Sequence, residues 1–138
     1  LDRDSLAIGY RFMDDDWGVR SHTLDARYRW NRTANDYLEP HLRWYQQSAA
    51  DFYRTVLFSN APLSAFASAD ARLADSDAYT VGLKYGRRLA SGEFSMRLEY
   101  YRQTGKASPG AAVGALAGFD LVPPLSAVLV QFGYKFSL

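Results

Sequence analysis

The chain closes on VLVQFGYKFSL, where every second residue is large and apolar: Val128, Val130, Phe132, Tyr134, Phe136 and Leu138. Leu129, Gln131, Gly133, Lys135 and Ser137 stand between them. Successive side chains of a β-strand point to opposite faces, so this spacing gives a strand one apolar and one mostly polar face. The same period of two returns five more times. Leu6, Ile8, Tyr10 and Phe12 alternate with Ala7, Gly9 and Arg11. Leu24, Ala26, Tyr28 and Trp30 alternate with Thr23, Asp25, Arg27 and Arg29. Leu38, Pro40, Leu42 and Trp44 alternate with Tyr37, Glu39, His41, Arg43 and Tyr45. Tyr79, Val81, Leu83 and Tyr85 oppose Thr80, Gly82 and Lys84, and Phe94, Met96, Leu98 and Tyr100 oppose Ser95, Arg97, Glu99 and Tyr101. No helical period of similar length intervenes, and 138 residues suit one domain. The pattern predicts an all-β, antiparallel fold of six strands, with residues 1–138 in a single domain.

Alternation alone fits two solvents. In a soluble barrel or sandwich the apolar stripe points inward; in a membrane barrel it points at lipid. No run of about 18 apolar residues exists for a transmembrane helix, but barrel strands need only about 9–11 alternating residues. A mean hydropathy of −0.28 is compatible with that. Two further features favour lipid. Rings gather at both ends of the apolar stripes: Tyr28, Trp30, Tyr85 and Phe94 at one level, Tyr10, Phe12, Trp44, Tyr79 and Tyr100 at the other. Amphipathic rings favour the headgroup level, so two such girdles are what a bilayer selects. The links also alternate. NRTAND and GRRLASG are short, whereas the segments after the third and fifth strands are long, as in outer-membrane barrels with short periplasmic turns and long external loops. MDDDW, the first link, is a tight acidic turn on the external side. The chain is therefore expected in a bacterial outer membrane, among its lipid and lipopolysaccharide.

The ending FGYKFSL resembles the C-terminal signal that barrel-assembly machinery reads, with Phe132, Tyr134, Phe136 and Leu138 as its apolar positions; the usual terminal residue is Phe, and here it is Leu138. Six strands are fewer than the roughly 8 of the smallest membrane barrels. An open sheet in lipid would leave two unpaired edges, at several kcal/mol for each buried N–H or C=O. These strands are thus expected to be the C-terminal part of a larger barrel, closed by upstream strands of the same precursor or, less favoured, by other chains.

The polar face carries Arg11, Asp25, Arg27, Arg29, Glu39, His41, Arg43, Lys84, Arg97, Glu99 and Lys135. Basic groups outnumber acidic ones there, which fits a water-filled lumen tolerant of anions. Cross-strand ion pairs that fill and stiffen an interior, such as Asp25 with Arg43, fit equally well. A net charge of +1 gives no nucleic-acid footprint. The absence of Cys removes disulfides, thiolate metal sites and cysteine nucleophiles. Ser21, His22 and Asp25 suggest a hydrolase, but Ser21 and His22 are adjacent on a strand and point to opposite faces. No enzyme activity, cofactor or metal is expected. Pro40, in mid-strand on the apolar stripe, predicts a bulge or bend. The apolar stretches TVLFSNAPLSAFASA and GAAVGALAGF lie in loops, and suggest an inward constriction or cover by another protein.

Two segments are more specific. Trp17, Gly18, Ser21, His22 and Thr23 form a Trp-Gly-x-x-Ser-His-Thr pattern, followed by Tyr45, Gln47, Ser48, Ala49, Ala50, Asp51, Phe52 and Tyr53. Together they resemble an uncharacterised family of bacterial outer-membrane proteins, catalogued as a domain of unknown function. The likeness is closest over residues 5–55. It implies longer proteins with more strands upstream, and genes beside those for envelope flavin-transfer and thioredoxin-like proteins. The functional expectation is a porin-like channel or transporter for small solutes or ions; the alternative is a barrel that sheathes an envelope partner protein, one linked to redox chemistry.

Overall fold

A computed structural model describes residues 4–57, 62, 65–105, 114–119 and 121–136. Six strands form one antiparallel sheet in sequence order: β1 (Ser5–Asp14), β2 (Arg20–Asn31), β3 (Asp36–Gln47), β4 (Ser76–Leu89), β5 (Gly92–Gly105) and β6 (Leu125–Phe136). Each contains one of the alternating segments. The strands run for 10 to 14 residues. Each strand pairs with the next, and β1 and β6 are the two edges of the sheet.

The connections follow from local chemistry. Between β1 and β2, Asp15 accepts from the backbone N–H groups of Trp17 and Val19, both at 3.0 Å, while Gly18 supplies a φ of +76°. That left-handed turn is open to Gly at little cost. Between β2 and β3, Thr33 Oγ1 accepts from the backbone N–H of Asp36 at 2.9 Å and donates to its carboxylate at 3.0 Å, closing a turn of the Ser/Thr type. The link at GRRLASG is shorter than its composition suggests: β4 runs on to Leu89, and only Ala90 and Ser91 turn. Arg87 and Arg88 are strand residues because each has a partner opposite, Phe94 and Glu93. The strand ends that the longer connections join, Gln47 with Ser76 and Gly105 with Leu125, lie at the same end of the sheet as the Asp15 turn.

Pro40 makes no bulge. Arg27 pairs with His41 and Trp30 with Leu38, so equal numbers of residues pass on both strands and the register is kept. The β2–β3 ladder opens across Tyr28 and Arg29, where proline has no N–H to give, while Pro40 stays opposite Leu83 on β4.

Burial is the reverse of a soluble sheet. The apolar face is exposed, with Leu6 at 63%, Val128 at 66% and Phe136 at 74%. The polar face holds the buried side chains: Tyr37 and Ser21 at 1%, Thr23 at 7% and His41 at 8%. What packs together on this face is mainly tyrosine, hydroxyls, ions and glycine, with Ala78 the small aliphatic exception.

Candidate functional site

The apolar face is organised in rows. Ile8, Ala26, Leu42, Val81, Tyr100 and Val128 are successive cross-strand partners, and the row below brings Leu83, Leu98 and Val130 together. Tyr10, Leu24, Trp44 and Tyr79 form the row above; Trp30, Leu38, Tyr85, Met96 and Phe132 form one on the opposite side. Phe12 lies beyond the first of these, and Phe94, Tyr134 and Phe136 beyond the second. Charges on this face occur only near strand ends, at Asp14, Arg20, Asp36, Asp77, Arg87 and Arg102. Several tyrosine hydroxyls on this face have polar partners. Tyr28 donates to Asp4 at 2.9 Å, Tyr85 to Asp36 at 2.7 Å, and Tyr134 shares a hydrogen bond with Ser91 at 2.6 Å. At the other end the Tyr10 hydroxyl lies 2.7 Å from His22 Nδ1. The Asn31 backbone N–H, and then the Tyr28 phenol, hold the Asp4 carboxyl below its ordinary value. Rings with one wet edge and one oily body fill both borders of the aliphatic band.

The polar face gathers all eleven charged residues predicted for it, and the register brings most of them into one network. His41 Nε2 meets Asp25 at 2.9 Å and Nδ1 meets Glu99 at 2.8 Å. Arg27 pairs with Asp25 at 3.3 Å, and Arg97 reaches Glu99 at 3.6 Å and Glu39 at 4.0 Å. Gly82 makes the network continuous. It lies between His41 and Glu99 in the register, and a Cβ there would sit 2.8 Å from Glu99 Cγ. Without that side chain, Glu99 crosses β4 to reach β3. Asp25 and Arg43 are direct partners in the ladder, as the expected ion pair requires, but the Asp25 carboxylate is engaged by His41 and Arg27 instead.

Below the network Tyr37 lies flat across Gly86. A Cβ on Gly86 would fall 2.1 Å from Tyr37 Cζ. The Arg29 guanidinium stands 3.5 Å from the ring centroid on this face, Lys84 stands 5.5 Å away, and the phenol donates to Glu93 at 2.6 Å. Above the network a recess of about 380 Å³ is lined by Arg43, Tyr45, Ala78, Thr80 and Tyr101. Arg11 and Lys135 occupy this face on the outer strands and are exposed.

The two segments that carried the family resemblance meet at the end of the sheet with the longer connections. Ser48 Oγ accepts from the Arg20 backbone N–H at 2.9 Å, and the Ser48 N–H donates to Arg20 O at the same distance. The Asp51 N–H donates to Trp17 O at 2.9 Å, and the Trp17 and Phe52 rings meet edge to face at 5.6 Å. Gly18 is needed twice over: its φ is positive, and a Cβ would lie 2.4 Å from the Asp51 carboxyl carbon. Gln47 accepts from the Tyr45 phenol and donates to the carbonyls of Arg72 and Ala74, which ties the following loop down. In that loop the Arg72 side chain draws the Asp70 carboxyl down to about 2. Beside the joint is a groove of about 690 Å³ lined by Asp16, Trp17, Phe52, Ala65, Phe66 and Ala67.

Ser21 and His22 do point to opposite faces: Ser21 is buried on the polar face, while His22 packs on Phe12 at 5.1 Å. Among the described residues no cluster of three or more His, Asp or Glu side chains could hold a metal ion. Phe132, Tyr134 and Phe136 lie on the apolar face of β6; Leu138 falls outside the described residues, as do parts of both apolar loop stretches. Sequence reasoning missed Gly82 and Gly86, whose roles exist only between strands, and Trp17 with Phe52 as a ring pair. A family model for proteins of unknown function, DUF3570, matches residues 1–136. No curated protein and no solved structure matches the chain.

Proposed function

The chain belongs to the DUF3570 family of proteins of unknown function, and from that premise we propose that it forms part of the wall of a transmembrane β-barrel in a bacterial outer membrane, with a polar interior that passes small solutes or ions. Membership supplies no activity, so the reading rests on the sheet. The observation that carries it is the inverted burial: Leu, Val, Ile and aromatic side chains exposed on one face, Tyr37, His41, Ser21 and Thr23 buried on the other. In water such a face of six strands would be a severe aggregation hazard. In hydrocarbon it is the favourable arrangement, and strands of 10 to 14 residues are long enough to cross. The edges of β1 and β6 then need partners, since an unpaired backbone group in lipid costs several kcal/mol. Further strands, from a longer precursor or from other chains, complete the ring.

A passage follows from the charge left exposed on the inner face. Arg11, Arg43 and Lys135 make no ion pair among the described residues, so the wall keeps a positive surplus beside its compensated network. Planar-bilayer recording of the complete protein tests this: stepwise conductance with anion preference is expected, and a correctly inserted but silent barrel refutes the channel. One observation favours a second reading, a sheath for an envelope partner, including a redox protein: the groove between Trp17, Phe52 and Phe66, with Trp17 55% exposed. Mild extraction followed by native mass spectrometry would then recover a stoichiometric companion; repeated recovery of the bare barrel removes it.

A further inference from the structure

We infer that the recess around Arg43 is a binding site for a small aromatic carboxylate, a deepening that rests on the barrel-interior reading above. Arg43 has a carboxylate directly across the ladder, Asp25, yet forms no ion pair with it. The reason lies two strands away. Gly82 leaves the gap through which Glu99 reaches His41 Nδ1 at 2.8 Å, and the imidazole, fixed from that side, holds Asp25 through Nε2 at 2.9 Å. Arg27 takes the other Asp25 oxygen at 3.3 Å. The guanidinium of Arg43 still acts on Asp25 through space but makes no ion pair with it, and it lines the recess.

The rest of the recess suits a flat anion. Thr80 and Tyr101 continue the row of Arg43, and Tyr45 and Ala78 form the adjacent row, so the two rings stand at diagonal corners with Ala78 and Thr80 of β4 between them. Both rings are held in place through their hydroxyls: Tyr45 donates to Gln47 and Tyr101 to Gln103, each at 2.7 Å. A guanidinium offers two parallel N–H donors that match a carboxylate, and the hydroxyl of Thr80 adds a third donor to the wall. Rings gain most from a planar apolar partner. A volume of about 380 Å³ lies at the small end of ligand pockets. Benzoate therefore serves as the probe.

Calorimetric titration of benzoate into the complete protein, folded in detergent, tests the site. Wild type should bind benzoate, with chloride a much weaker competitor; Arg43→Ala should weaken it at least tenfold. Arg43→Lys, which keeps the charge and loses the fork, should weaken it severalfold with the fold intact. His41→Ala should also weaken binding, because Asp25 is then free to turn to Arg43, whereas His41→Ala with Asp25→Asn should restore it. No benzoate binding, equal binding by the Arg43 variants, or equal competition by chloride overturns the site. Wild-type affinity in His41→Ala overturns the hold of His41 on Asp25 as the reason Arg43 stays unpaired. The barrel reading is judged apart from this, by conductance and lipid exposure: benzoate failing with those intact removes the recess alone.

Discussion

Gly86→Ala tests how closely the polar face is built. The new methyl would lie 2.1 Å from Tyr37 Cζ and 2.4 Å from its hydroxyl oxygen, so the ring must leave its seat. Leaving separates the phenol from Glu93, at 2.6 Å, and the ring from the Arg29 guanidinium, at 3.5 Å. A hydrogen bond to a charged group contributes about 1.5–3 kcal/mol. A cation over a ring adds about 0.5–2 kcal/mol. Alanine recovers roughly 0.5–1 kcal/mol of backbone entropy relative to glycine. The net loss is about 1–4.5 kcal/mol, read from urea unfolding of the complete protein refolded into detergent or lipid. Tyr37→Phe should lose only the hydrogen-bond part. The decisive comparison is Gly86→Ala placed on Tyr37→Ala: with the ring gone the methyl has nothing to strike, so its cost should vanish. A Gly86→Ala penalty that persists without the ring, or one below about 0.5 kcal/mol with it, refutes the seating of Tyr37.

Other perturbations separate the remaining parts. Gly18→Ala meets both a positive φ of +76° and the Asp51 carboxyl, so it should detach the segment around Ser48 and Asp51 from the Asp15 turn; faster proteolysis confined to these loops, with the sheet intact, would show it. Leu83→Arg puts a charge in the aliphatic rows and should cost about 2–4 kcal/mol near the bilayer midplane, measured by unfolding in lipid, whereas unchanged stability contradicts the lipid-facing assignment. The Asp70 carboxyl, lowered to about 2, gives its loop a contact that is complete above the ordinary aspartate value and is lost as pH falls through about 2. A carbon-detected titration of Asp70 should show that low midpoint, and Arg72→Ala should raise it while the backbone N–H of residue 72 still holds it below the ordinary value.

The strands were legible because alternation is a property of each strand alone. Leu6 to Phe12 needs no neighbour to announce one apolar face, and all six elements fall where the period of two puts them. Ring positions near strand ends, such as Trp30, Tyr85 and Phe94 at one end and Tyr10, Phe12, Trp44 and Tyr79 at the other, were legible for the same reason, whereas the register sets Tyr28 and Tyr100 in the two middle rows of the apolar face. What alternation cannot carry is the identity of the neighbour across the ladder. Gly82 and Gly86 look like weak strand residues in isolation; their purpose appears only when Glu99 and Tyr37 lie over them. The facing pair Asp25 and Arg43 was foreseeable, yet their ion pair loses to His41, which is held from β5. Pro40 suggested a bulge or a bend; no residue is inserted, and the sheet tolerates it by opening the ladder without slipping. At the rim, two motifs roughly thirty residues apart are joined chiefly through backbone groups, and sequence patterns do not report those.

The central claim, that the apolar face meets lipid while the charged face meets an interior, is best tested at neighbouring positions. The chain has no Cys, so single Cys replacements at Val81, Leu83 and Leu98, and at Thr80, Lys84 and Arg97, can each carry one spin label in the protein reconstituted in bilayers, with any Cys outside this chain replaced first. The account predicts collision with dissolved oxygen but not with a water-soluble nickel complex at the first three, and the reverse, or shielding from both, at the second three. Labels at Leu83 and Leu98 that are shielded from lipid, with Lys84 and Arg97 exposed to it, would contradict the orientation of the entire sheet.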